Sequence, residues 1–176
     1  MTNENDKTRF LRSLRAVREY TPEPVAEDVV RDIVEVGRWA GSSSNSQPTE
    51  VVVVRDPAIK ELMGSNGAAP AAKSAVTLVI LTADNPERRE SEAFDNGRLV
   101  ERLLLAAKAL GLGANIATLK NEGPELVRKA LNIPAEKKVW TVVTIGHIDH
   151  EARKARPANP NAGRKDAGSF VHWEKY

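Results

Sequence analysis

The sequence contains no cysteine. The chain therefore has no disulfide, no thiol nucleophile, no iron–sulfur cluster and no thiolate zinc site. It also has no Gly-x-Ser-x-Gly elbow and no Walker loop, and Gly111-Leu112-Gly113 lacks the third glycine and the preceding strand of a dinucleotide fingerprint. These absences remove the support for hydrolase and P-loop functions. Any redox chemistry needs a bound cofactor.

Long apolar runs and a large net charge are also missing. The longest apolar runs, residues 51–54 and 75–81, are far shorter than the roughly 20 residues that cross a bilayer. Residues 1–8 lack the apolar stretch of a secretory signal, so we expect a cytoplasmic protein without a membrane partner. A net charge of +2 predicts no nucleic-acid partner unless a local basic patch supplies one.

The 176 residues fit one domain, because domains average about 150 residues. We expect a single domain over residues 1–176 in which residues 151–176 form a C-terminal arm. Residues 151–164 show no apolar periodicity, but the arm ends in Phe170, Trp173 and Tyr176. Disordered tails are poor in aromatic residues, so we expect an arm that packs back.

Hydrophobic spacing predicts the main helices and strands. Apolar residues three and four positions apart predict helices over residues 10–17, 29–40, 97–110 and 124–131, with shorter helical turns over residues 57–63. Apolar runs over residues 51–54, 75–82 and 139–145 predict strands, the first of them buried on both faces. Residues 84–92 are polar, which predicts a mobile segment. The wide apolar face of the helix over 97–110 indicates a core helix or one that also faces a partner subunit.

Basic residues recur every third position near the N-terminus, at Arg9, Arg12, Arg15 and Arg18. On a helix, steps of three rotate by about 300°, so only neighbours such as Arg15 and Arg18 converge. This spacing favours a compact anion over a long polyanion. The alternative is a solvated basic face.

A polar loop follows the second predicted helix, over residues 41–48. Its hydroxyls and amides are typical of a binding loop held by a rigid scaffold, and the alternative is a simple polar turn. The three histidines, His147, His150 and His172, have no spaced carboxylate partner, so we expect no metal site.

Taken together, these segments resemble the FMN-dependent nitroreductase family from about Arg12 to Tyr176. The run from Arg15 to Tyr20 resembles the family's phosphate motif, with Ala16 in place of its serine. Residues 40–49 are similar to its Ala-Pro-Ser-x-x-Asn-x-Gln-Pro-Trp loop except at Gly41 and Thr49. Residues 103–117, 131–146, 163–165 and 171–174 resemble later segments of the family in the same order.

The resemblance implies an α+β fold with a mostly antiparallel central sheet flanked by helices, and a C-terminal arm exchanged in a homodimer. It implies FMN at the subunit interface, with Ser42, Ser43 and Asn45 contributed by the partner chain. Planar guanidinium groups suit phosphate oxygens, and the resemblance assigns that role to arginines. The arginines to which it gives this role are Arg15, Arg18 and Arg164. The other cofactor-binding positions that it implies are Ala16, Val17, Gly113, Ala114 and Lys165. No side chain is assigned a catalytic role.

The implied activity is oxidoreduction in two steps. NAD(P)H gives a hydride to the flavin and leaves, and a small organic acceptor such as a nitroaromatic or a quinone then takes the electrons. One alternative is a non-catalytic flavin-binding or regulatory protein of the same fold. Another is a basic nucleic-acid-binding module that uses the arginine run and the arm.

Overall fold

The computed structural model describes residues 5–159 and 162–176. Helices and strands alternate along the chain, which is the order expected when helices cover both faces of a sheet. The helices are α1 (Asp6–Arg12), α2 (Glu27–Arg38), α3 (Pro57–Ser65), α4 (Arg89–Ala109), α5 (Gly123–Ala130) and α6 (His150–Ala155). The strands are β1 (Glu50–Val54), β2 (Val76–Thr82), β3 (Gly113–Ala117) and β4 (Lys138–Gly146).

The four strands form one sheet in the order β1-β2-β4-β3, and every neighbouring pair is antiparallel. All residues of the central strand β2 are buried, as its β-branched sequence predicts. Helices cover both faces of the sheet, so the predicted α+β fold is confirmed.

Two apolar clusters fix the helices to the sheet. On one face, Ile33 of α2 and Leu103 of α4 pack against Leu78 and Ile80 of β2. On the other face, α3 and α5 pack against the alternate residues of the same strands. This alternation follows the two-residue period of a strand and places α4 across the side of the sheet on which Ala114 of β3 lies.

The first predicted helix is wrong beyond Arg12. Helix α1 ends there, and Ser13 is its C-cap residue. Residues 14–19 have no helical assignment because the backbone of Val17 bonds to β3 instead. Helical spacing therefore does not relate Arg15 to Arg18, and the prediction that they converge on one helix face is wrong.

Three further expectations need correction. Strand β1 lies at the sheet edge with Val53 45% exposed, so it is not buried on both faces. Strand β3 was not predicted, because Gly, Ala and Asn are poor strand formers and only its pairing with β4 makes it a strand. The polar segment over residues 84–92 is ordered: a 3₁₀ turn, Pro86–Arg88, is capped by the Asn85 side chain and leads directly into α4.

Only the start of the C-terminal arm packs back on its own chain, where α6 lies and Arg156 pairs with Glu19 at 3.2 Å. Residues 157–159 and 162–176 are exposed throughout, and the side chains of Phe170 and Trp173 are 77% and 87% exposed. Within the described part of the chain, no helix is both long and apolar enough to cross a membrane.

Candidate functional site

Residues 15–20, which carry Arg15 and Arg18, are held against the start of β3. We call them the anchored segment. The amide of Val17 donates a 2.9 Å hydrogen bond to the carbonyl oxygen of Ala114. The Val17 side chain is 4% exposed, and it fills the space beside Gly113, where an added Cβ would lie 2.6 Å from Val17 Cγ1. Glycine at position 113 therefore allows the close approach of the segment to β3.

Tyr20 anchors the other end of this segment. Its buried hydroxyl donates a 2.6 Å hydrogen bond to the carbonyl oxygen of Val17 and lies 2.8 Å from Thr144 Oγ1. Burial raises the pKa of this phenol above its ordinary value, so the hydroxyl remains a donor. With Val17 and Tyr20 fixed, the side chains of Ala16 and Arg18 are left at the surface.

A cavity of about 240 Å³ opens beside Val17. Three cationic side chains line it: Arg15 from the anchored segment, Lys108 from the last turn of α4, and Arg153 from α6. Ala114 of β3 also lines it, and the lining within the described chain includes no acidic residue. We call this the cationic cradle, defined by Arg15, Val17, Lys108, Ala114 and Arg153. Three positive charges around a small cavity suit a doubly charged oxyanion such as a phosphate group.

The polar loop, residues 41–48, lies against the first half of α4. The amide of Ser43 donates a 2.8 Å hydrogen bond to Asp95 Oδ2, and the amide of Gln47 donates a 2.9 Å hydrogen bond to Ser42 Oγ. Asp95 is 4% exposed and also lies 3.5 Å from the guanidinium of Arg98. A buried carboxylate with these two partners fixes the position of the loop.

This loop holds an unusual backbone conformation. Ser44, Asn45 and Gln47 have φ angles of 51°, 53° and 48°. Residues with a side chain rarely adopt this left-handed region, at a cost of order 1–3 kcal/mol each, and such residues cluster at functional sites. These angles are compatible with a binding loop, one of the two alternatives for this segment.

The loop and the cationic cradle lie at opposite ends of α4. Asp95 supports the loop and Lys108 lines the cradle, and a rise of 1.5 Å per residue separates them by about 20 Å along the helix. One chain therefore does not bring Ser42, Ser43 and Asn45 to Arg15, Val17 and Ala114.

Comparison with known proteins identifies the group to which this architecture belongs. The model of the nitroreductase family matches residues 11–77 and 66–147, which together are most of the chain. This chain belongs to the nitroreductase family. The match includes the anchored segment, the polar loop, α4 and β3.

Individual relatives support this membership. The chain is 29% identical to a Thermus thermophilus protein named NADH dehydrogenase, over 78% of this chain and 84% of the relative. It is 28% identical to a Bacillus subtilis protein named FMN reductase [NAD(P)H], over 86% of this chain and 70% of the relative. Among solved structures, nitroreductase A of Vibrio parahaemolyticus is 25% identical with a TM-score of 0.82, covering 98% of this chain and 77% of that one.

In this nitroreductase-family chain, Arg153 at the start of the C-terminal arm lines the cradle, but the described arm residues beyond α6 are not among its lining residues. Arg164 donates a 2.7 Å hydrogen bond to the neighbouring carbonyl of Gly163, and both Arg164 and Lys165 are exposed. The structure thus brings together Arg15, Val17, Gly113 and Ala114, with Ala16 and Arg18 beside them. It leaves the loop residues, Arg164 and Lys165 apart from that group.

Lys108 was missed in the sequence. The sequence feature that could have indicated it is the glycine that ends α4. Gly111 (φ 77°) turns the chain so that the last helical turn faces the start of β3. The amide of Gly111 bonds to the carbonyl of Lys108 at 3.1 Å, and that of Leu112 bonds to the carbonyl of Ala107 at 2.9 Å. This Schellman motif places the Lys108 side chain at the cavity.

Gly41, where the family loop has proline, also has a local explanation. A Cβ at this position would lie 2.5 Å from Arg98 Nη2, so the glycine leaves room for the guanidinium that pairs with Asp95.

Proposed function

We propose that this chain is an NAD(P)H-dependent FMN oxidoreductase that reduces a small organic acceptor such as a nitroaromatic or a quinone. Membership of the nitroreductase family supports this proposal, and so do relatives named for FMN reductase and NADH dehydrogenase activities. The observation that carries it is the cationic cradle next to an open strand edge.

The residues present fit FMN. Arg15, Lys108 and Arg153 surround a cavity that suits the phosphate group, and Arg18 lies one residue beyond the anchored Val17. Ala16 offers no hydroxyl, so these cations and the backbone carry the phosphate contact. The chemistry that FMN supplies when bound is hydride uptake from NAD(P)H and electron delivery to the acceptor.

The backbone of β3 provides the groups that would orient the ring system. Strand β3 is an edge strand, and within the described chain only Val17 bonds to its outer edge, at Ala114. Beyond Ala114 the outer edge is open, and Ile116 is 46% exposed beside it. Backbone N–H groups fixed along this edge are suited to stabilise negative charge without reorganising. No side chain is needed as a general acid or base.

The complete site requires a homodimer in this proposal. Ser42, Ser43 and Asn45 of a second copy would reach the cradle that lies about 20 Å from the loop within one chain. Trp39 beside the loop and Phe94 on α4 are 69% and 72% exposed, which leaves an apolar surface for a second copy to cover. The exposed arm would reach the partner and bring Arg164 and Lys165 to its cradle.

The proposed location is the cytoplasm, because a reductase that consumes NAD(P)H works where that nucleotide is regenerated. The cofactor is tested by the absorption spectrum of the purified protein and by identification of the flavin after heat release. We expect about one FMN per chain. A colourless protein that also fails to take up added FMN would contradict the proposal.

Catalytic turnover is tested separately by rapid mixing of the FMN-loaded protein with NADH or NADPH in the absence of an acceptor. We expect bleaching of the visible flavin absorbance, followed by recovery when a quinone is added. Steady-state rates at varied acceptor should give parallel double-reciprocal lines, as expected for a ping-pong mechanism. A protein that binds FMN but is bleached by neither nucleotide would be a non-catalytic flavin-binding protein.

A further inference from the structure

A second cavity, of about 460 Å³, lies at the start of β2. It shares no lining residue with the cationic cradle, and within the described chain none of its lining residues is acidic. Lys60 of α3, Lys73 and Thr21 line it together with the backbone around Ser74. We call this cavity the Lys60 pocket, defined by Thr21, Lys60, Lys73 and Ser74.

Lys60 is a buried cation with little compensation. Its side chain is part of a residue that is 9% exposed, and its Nζ donates a 2.7 Å hydrogen bond to the carbonyl oxygen of Ser74. An ammonium group has three N–H donors, and across the described residues no carboxylate pairs with this one. Burying a charge without a counter-charge is unfavourable. Burial and the positive charge of Arg55 lower the pKa of Lys60 below its ordinary value.

Thr21 lines the same cavity and carries a second unsatisfied group. Its Oγ1 is buried and has no hydrogen-bond partner within the described part of the chain. The nearby acidic residue Glu23 does not serve these groups, because its carboxylate lies 3.9 Å from the imidazole of His147. The exposed Lys73 adds a further positive charge to the lining.

We propose that the Lys60 pocket binds a small oxyanion, either inorganic phosphate or a compact carboxylate, through Lys60 Nζ and Thr21 Oγ1 with Lys73 at its entrance. The charged oxygens of an oxyanion accept hydrogen bonds, which matches the free donors of the ammonium group and the hydroxyl. It also supplies the counter-charge that the protein does not provide. This site is separate from the proposed FMN site and does not depend on it.

The test is calorimetric titration of the full-length, FMN-saturated protein with inorganic phosphate at constant ionic strength. FMN saturation keeps the phosphate probe out of the cationic cradle. We expect one saturable phosphate site per chain. Lys60→Met should weaken binding by about tenfold or more, because it removes a charge-assisted hydrogen bond, and Thr21→Val should weaken it about threefold. A parallel titration with acetate decides whether a carboxylate binds at the same residues.

Two control variants make the result specific. Lys129→Met removes an exposed lysine that lies 3.5 Å from Glu125 on α5 and should leave phosphate binding unchanged. Arg15→Ala, titrated at an FMN concentration raised to keep its weakened cradle saturated, reports whether the phosphate probe enters the cradle. If Arg15→Ala abolishes phosphate binding while Lys60→Met does not, the anion occupies the cradle and the proposal is wrong.

Thermal unfolding of each variant shows whether it is folded before titration. If Lys60→Met does not fold, Thr21→Val decides the outcome, since this nearly isosteric change retains the buried volume. The absence of saturable binding of both phosphate and acetate to the wild-type protein overturns the proposal. Binding that is insensitive to Thr21→Val, and also to Lys60→Met where that variant folds, overturns it as well.

Discussion

Among the arginines near the N-terminus, Arg15 lines the cationic cradle. The guanidinium of Arg15 donates hydrogen bonds of 2.8 and 2.7 Å to the carbonyls of Arg12 and Leu14, which hold it beside the cationic cradle. Arg15→Ala should weaken FMN binding by about tenfold to a hundredfold, since a charge-assisted contact contributes roughly 1.5–3 kcal/mol. Fluorescence titration of the apoprotein with FMN measures the change.

Arg9 provides the matched control. It lies on α1, 70% exposed, and pairs with Asp6. Arg9→Ala should change the free energy of FMN binding by less than about 0.5 kcal/mol, as ordinary surface substitutions do. Arg164→Ala should weaken binding as much as Arg15→Ala if the arm of the partner reaches the cradle. Equal effects of Arg9→Ala and Arg15→Ala, or normal binding by Arg164→Ala, would contradict the assigned phosphate site.

Tyr20 makes stability depend on alkaline pH. Its pKa is raised in the folded state, first by desolvation, so its contribution is fully present below the unfolded pKa of about 10 and is lost as pH rises above it. The sequence has two tyrosines, so the Tyr176→Phe variant isolates Tyr20. In that variant, tyrosinate absorbance should appear only together with loss of circular dichroism, above about pH 10. Tyrosinate formation near pH 10 in a folded protein would show that the hydroxyl is not buried.

The packing of the anchored segment against β3 depends on Gly113. A Cβ at Gly113 would lie 2.6 and 2.8 Å from Cγ1 and Cβ of Val17 and 3.0 Å from Ile148 Cγ1. Gly113→Ala should therefore lower the free energy of unfolding by about 1–3 kcal/mol and also weaken FMN binding, because it displaces the anchored segment. Chemical denaturation and FMN titration of the same preparation measure both effects.

Gly97 of α4 is the matched control for this substitution. Nothing lies within 4 Å of a Cβ built there, and the residue is exposed in the middle of a helix. Gly97→Ala should stabilise the protein by about 0.5–1 kcal/mol, since alanine restricts the unfolded chain. If both alanine variants unfold at the same denaturant concentration, the close contact between Gly113 and Val17 does not form in solution.

Helices and strands with strong local patterns were predictable from the sequence. The β-branched runs of β2 and β4 lie as predicted, because a buried strand leaves a continuous apolar run in the sequence. The extended segment over residues 14–17 was not predictable. Its apolar spacing is helical, and the hydrogen bond between Val17 and Ala114 overrides it.

At the scale of the whole molecule, the proposed site takes its parts from two chains. The cradle and the polar loop lie about 20 Å apart along α4, so each site would combine the cradle of one chain with the loop of the other. An equal mixture of Arg15→Ala chains and Ser43→Ala/Asn45→Ala chains, unfolded and refolded together, should recover about a quarter of the wild-type FMN sites. Each variant alone should recover almost none. Equilibrium dialysis with FMN measures the recovery.

This mixing experiment distinguishes a shared site from a site within one chain. In a mixed dimer, the intact cradle of one chain meets the intact loop of the other, which restores one site of two. If each site were built within a single chain, every chain in the mixture would carry a defect. Recovery no greater than that of the separate variants would then be observed, and the two-chain site would be wrong.

The sequence by itself determined the kinds of chemistry open to this protein and the central strands of the sheet. Those features follow from composition, local hydrophobic period and short motifs, which are properties of neighbouring residues. The tertiary structure decided that Val17 is extended and that Lys108 and Arg153 join Arg15 around one cavity. It also decided that Lys60 is buried with no counter-charge among the residues that the structure describes. These features join residues distant in sequence, and no local pattern specifies which distant groups will meet.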